Sequence, residues 1–222
     1  MPALTAPYLF LLGLASGIAL LPLTAYGTVS PRWLKWLLLG AGLFTISRYV
    51  TMALFTHPEA PRRFWALRHC WFASSIGLTL PSAVAVDQLL RHPAISPQKL
   101  LQWYAPFFIA FGLVILFGGT VPEADPLIGW KPHLTAGWRL WLSGSSLAFV
   151  VSFAVIGSAL IRKVPVPRIR LALLALIVAQ GSLGVNSLLL GREPGPVSPF
   201  LYSELAGLLA LWYAYRTASA LS

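Results

Sequence analysis

Charge is what this sequence has least of. Only 10% of its 222 residues are Asp, Glu, Lys or Arg, against roughly 25% in an ordinary soluble domain, and the acidic residues number six. So few charges cannot cover the surface of a water-soluble globule. Cysteine is almost absent as well. Cys70 stands alone, which excludes an internal disulfide and leaves it as a small apolar side chain. The chain has no CxxC, no HExxH and no glycine-rich phosphate loop, so the common short motifs for redox, zinc and nucleotide chemistry are missing. No basic residue precedes the first apolar run in Met1-Pro2-Ala3-Leu4-Thr5, and that run is expected as a mature helix rather than a secretory signal.

What fills the chain is apolar: 57% of residues, with a mean hydropathy of +0.75. Crossing a bilayer core of about 30 Å takes roughly 20 helical residues. Seven runs of that kind are bounded by charge, proline or loop chemistry, at about 8–29, 33–56, 64–90, 101–121, 138–161, 169–190 and 199–219. They predict an all-α, polytopic membrane protein forming one domain over residues 1–222, with the longest loop at 122–137. The runs are too long for strands and lack the alternation of a membrane barrel.

Lysine and arginine set the expected orientation. With the N-terminus outside and the C-terminus in the cytoplasm, the inner side holds Arg32, Lys35, Arg91, Lys99, Arg162, Lys163, Arg168, Arg170 and Arg216. The outer side holds Arg62, Arg63, Arg68, Lys131, Arg139 and Arg192, offset by Glu59, Glu123, Asp125 and Glu193. The net charge of +10 then reflects topology and attraction to anionic lipid headgroups at the cytoplasmic loops. It does not indicate nucleic acid, since no basic stripe interleaved with aromatics follows a helix face.

Trp33, Trp36, Trp65, Trp71, Trp103, Trp130, Trp138, Trp141 and Trp212 all fall near span ends, where indole rings anchor at the headgroup level. Pro22, Pro81 and Pro106 lie inside the first, third and fourth spans and are expected to kink them. Gly13 and Gly17 form a GxxxG that would allow close helix contact.

The candidate site rests on polar groups inside the spans, because a charge at mid-bilayer costs about 2.5–3.5 kcal/mol on insertion scales. Arg48 lies about 12 Å below the outer end of the second span, and Glu204 about 8 Å below that of the seventh. They are expected to pair. His69, Asn186, Tyr202 and the deeper Gln180 fall near the same level, so the six could line an outward-opening pocket; the competing expectation is a buried ion pair that only fixes packing. Asp87 is expected to pair with Arg91, four residues on.

A shift of 136 residues places Pro31-Arg32 on Pro167-Arg168, Leu54 on Leu190, Pro58 on Pro194 and Phe64 on Phe200. This suggests a parallel 3+1+3 repeat with the fourth span as connector. The layout resembles that of sugar-permeating small transporters, and the resemblance implies a solute path. Gln180-Gly181-Ser182-Leu183-Gly184 followed by Glu204 is similar to a helix pair in haem A synthases, but the histidine expected near Ser203 is missing. The seventh span has no lysine for a retinal Schiff base. The sequence therefore assigns no cofactor, with haem or a pigment still open.

For an enzyme the spans offer one histidine and few carboxylates, a poor catalytic set. The sequence favours small-solute transport or ligand sensing by a bundle in the cell membrane. The alternative is a non-catalytic accessory or scaffold subunit that binds a membrane-protein partner.

Overall fold

The computed structural model describes residues 4–90, 96–126, 128–189 and 198–220. Arg91, Leu190, Arg192, Glu193 and Pro194 of the sequence reading lie outside them. The described chain is mostly helical: α1 (Thr5–Ala25), α2 (Arg32–Leu54), α3 (Ala60–Trp71), α4 (Ser74–Gly77), α5 (Thr79–Leu90), α6 (Pro97–Phe117), α7 (Ala136–Ile161), α8 (Pro167–Leu189) and α9 (Pro199–Ser219). Proline opens α6, α8 and α9, where its missing N–H costs nothing and its fixed φ suits the first turn. Ser96 caps α6 by accepting from the Lys99 amide at 3.3 Å. This cap starts the helix four residues before the expected 101 and turns Lys99 into a first-turn residue.

The third span is not one helix. A continuous helix would bond the Ser75 amide to the Trp71 carbonyl. Instead the Ser75 amide donates to Phe72 at 3.0 Å and the Ala73 amide to Cys70 at 3.1 Å. Further on, Pro81 has no amide to offer Gly77, and Thr79 bonds its hydroxyl back to the Ser75 carbonyl. Serine, threonine, glycine and proline thus break the segment twice, into α3, α4 and α5.

Residues 120–134, read as the end of the fourth span to 121 and as loop from 122, form an antiparallel hairpin of β1 (Thr120–Asp125) and β2 (Gly129–Leu134), with Pro122 opposite Pro132. Both are edge strands, so each proline can turn its missing donor outward. The hairpin is docked rather than free. The Trp130 amide donates to the Phe55 carbonyl at 3.0 Å, and Gly129, at φ +114°, passes so close that a Cβ would sit 2.8 Å from that same oxygen. Arg68 completes the seam by donating to the Gly118 carbonyl at 2.7 Å.

The core lies around the broken span. Every residue of α5 from Thr79 to Leu89 is buried, with α9, α6, α8 and α2 packed about it. Around this centre the helices follow in chain order, and α1 closes the ring against both α2 and α9. Among the described residues six spans are long and apolar enough to cross a membrane: 5–28, 32–54, 64–90, 97–117, 136–161 and 167–188.

Two expectations are corrected here. Gly13 and Gly17 face outward, and a Cβ at either would meet nothing within 4 Å, so they form no close contact inside the bundle. Trp71 is no rim anchor. It is 2% exposed and packs edge-on to Phe55 at 5.3 Å.

Candidate functional site

Arg48 is 1% and Glu204 0% exposed, and Arg48 Nε lies 2.9 Å from Glu204 Oε1. Two charges so completely removed from water need each other. The elements meet here because Arg48 stands about 9 Å before the end of α2 and Glu204 about 8 Å into α9, at 1.5 Å per residue, at the same end of the bundle.

The break after α3 supplies the next contact. The Trp71 carbonyl, left without its helical partner, accepts from Arg48 Nη1. Two rings lie near the guanidinium, with Cζ 5.8 Å from the centre of Trp71 and 5.7 Å from that of Phe200. These cation–π contacts offset part of the hydration that the buried guanidinium lacks.

The polar core is nevertheless incompletely satisfied. The ion-pair approach is not aligned as a hydrogen bond, and neither Glu204 oxygen has a hydrogen-bond donor among the described residues. Two further hydroxyls, Tyr8 on α1 and Tyr49 on α2, are 1% and 0% exposed and also lack a hydrogen-bond partner. Both lie within electrostatic reach of Arg48 and Glu204.

Phe200 also borders a cavity of about 30 Å³, together with Ser74, Thr79, Ser146, Phe149 and Gln180 among others. A space of that size beside polar side chains can hold water. Ser74 Oγ is buried beside it with no hydrogen-bond partner among the described residues. Gln180 closes one wall by donating to Ser82 Oγ at 2.7 Å, which ties α8 to α5.

Of the six residues singled out in the sequence, the structure joins Arg48 to Glu204 and places Gln180 on the cavity that Phe200 also borders. The other three are engaged elsewhere. His69 Nδ1 lies 2.6 Å from the Ile115 carbonyl; a carbonyl only accepts, so this nitrogen carries the proton. Asn186 donates to Ser203 Oγ at 2.6 Å and to the Pro199 carbonyl at 3.2 Å, fastening α8 to the first turn of α9. Tyr202 is half exposed. Asp87 accepts from Gln88 Nε2 at 3.0 Å, while its expected partner Arg91 is outside the described residues.

Tyr8, Tyr49, Trp71 and Ser74 were not singled out as site residues. Tyr49 had one available signal, its place beside an arginine inside a long apolar span. Among the described residues no three His, Cys, Asp or Glu side chains gather as a metal site would require. No protein-family model matches the chain, and no curated protein matches it.

Proposed function

We propose that this chain is a seven-helix protein of the cell membrane, N-terminus outside and C-terminus cytoplasmic, that transports or senses a small anionic or zwitterionic solute through the Arg48–Glu204 core. The observation that carries this reading is the unspent polar capacity around a fully buried ion pair. A pair that only fixed packing would be expected to have its remaining lone pairs and protons satisfied, since each buried unsatisfied group costs about 1–3 kcal/mol. Here both Glu204 oxygens, two tyrosine hydroxyls and Ser74 Oγ lack hydrogen-bond partners among the described residues. A bound solute, or water it displaces, would use them.

Other features support the bilayer setting. Phe10, Trp36, Phe117, Leu140 and Val155 are each at least 65% exposed, a surface water does not favour at this extent. α9 is more polar than the six apolar spans, carrying Glu204, Arg216 and three tyrosines, but its length of 21 residues gives about 31 Å. Broken helices beside a polar core are a recurring device in transporters, where unwound backbone offers contacts a regular helix withholds. In this mechanism the solute enters from the outer side and its carboxylate replaces Glu204 at Arg48. Released Glu204 turns to the tyrosine hydroxyls, and α9 loosens against α2.

The test is thermal unfolding of the purified protein in detergent with a panel of amino acids and short carboxylates. One class should raise the midpoint of the natural protein and leave the Arg48→Met, Glu204→Leu double variant unmoved. No response to the panel, together with a stoichiometric membrane protein carried through purification from native membranes, would favour the accessory-subunit reading instead.

A further inference from the structure

The opposite end of the bundle holds a second concavity. Arg168 at the start of α8 and Arg216 in the last turn of α9 border one cavity of about 350 Å³, together with Trp212, Tyr213, Thr217 and Ala220. The size is in the range of small-ligand sites. Arg216 is held in place, its Cζ 5.5 Å from the centre of the Trp212 ring. Among the described residues neither guanidinium is paired with a carboxylate.

Two like charges facing one concavity repel each other, and the concave walls focus their field. Both side chains are exposed, so an anion arriving from outside would meet them in the concavity. A guanidinium fork fits phosphate oxygens two at a time, and two forks from different helices can grip one tetrahedral group from both sides. Trp212 and Tyr213 add apolar walls that would suit the ester-linked portion of the ligand.

We propose that this cavity binds a single phosphate group, carried by an anionic phospholipid of the inner leaflet or by a soluble phosphate ester. The lipid source rests on the bilayer reading above; the site itself does not, and it is independent of Arg48 and Glu204.

Native mass spectrometry of the detergent-purified protein with added phosphatidylglycerol or phosphatidylcholine tests it, alongside thermal unfolding in inorganic phosphate. The natural protein should retain one phosphatidylglycerol at least about tenfold better than phosphatidylcholine, a difference of about 1.4 kcal/mol. Arg168→Gln with Arg216→Gln should abolish that preference. Arg162→Gln with Lys163→Gln, on the neighbouring loop, should keep it. If the double arginine variant is poorly folded, Arg168→Lys with Arg216→Lys keeps the charge and loses the fork, and retention should still fall. Stabilisation by inorganic phosphate that needs both arginines, without lipid retention, supports the site with a soluble ligand. Equal lipid retention and equal phosphate response in natural and Arg168→Gln, Arg216→Gln protein overturn the proposal, as does an equal loss in the Arg162, Lys163 variant.

Discussion

Replacing Arg48 by Gln lowers the stability of the bundle by about 3–5 kcal/mol, the usual cost of leaving one member of a buried pair without its partner. Glu204 is 0% exposed, and among the described residues neither of its oxygens has a hydrogen-bond donor even with Arg48 in place. The carboxylate is then left buried without its counter-charge. Glu204→Gln should cost less, because Arg48 keeps the Trp71 carbonyl and its two aromatic neighbours. Changing both together, to Met and Leu, should restore stability to within about 1 kcal/mol of the natural protein or better, since well-packed apolar replacements of buried pairs are often neutral or stabilising.

Thermal or detergent unfolding followed by tryptophan fluorescence gives the four corners of that cycle. A single Arg48→Gln protein as stable as the natural one would show that the pair is not desolvated. The double variant then separates stability from function: it should fold and yet fail to respond to solute. Because Arg48→Gln alone unfolds the site, loss of activity in that variant cannot by itself identify a ligand contact.

The spans were legible because bilayer-length apolar runs are bounded by charge and proline, and a charge inside such a run is conspicuous whatever its surroundings. That made Arg48 and Glu204 readable as a pair. The faces were much less readable. In a helix apolar all round, no amphipathic stripe says which side turns inward, so Gly13 and Gly17 could not be told from an interface, nor Trp71 from a rim anchor. Tyr8 and Tyr49 were hidden for the same reason. The hairpin was obscured by Pro122 and Pro132, which argue against a central strand but are tolerated where both strands are edges. The double break in the third span was legible only in part. Pro81 announced a kink, but the first break, between Trp71 and Ser74, lies upstream of it and shows only when the backbone bonds of 70–77 are traced.

That break makes Gly77 the second position of large effect. A Cβ there would stand 1.8 Å from Thr45 Oγ1, 3.0 Å from the Ala41 carbonyl and 3.1 Å from Thr45 Cβ, so α4 lies against α2 with no room for a methyl group. Gly77→Ala should cost about 1–3 kcal/mol by overpacking, even though alanine is the better helix former. Thr45 is one turn before Arg48, and pushing α4 away would also draw the Trp71 carbonyl from Nη1. The solute response should therefore weaken along with stability. Thr45→Ala in the same chain removes the nearest atom, while the Ala41 oxygen and the residue-45 Cβ remain at the edge of tolerance. Most, but not all, of the loss should return, and the two changes should be non-additive, as expected of residues in contact. Gly13→Ala, where a Cβ meets nothing within 4 Å, should stay within about 0.5 kcal/mol of the natural protein. If Gly77→Ala proves as stable as Gly13→Ala, or if Thr45→Ala gives no rescue, then α4 is not seated on α2 in the way that delivers the Trp71 carbonyl to Arg48.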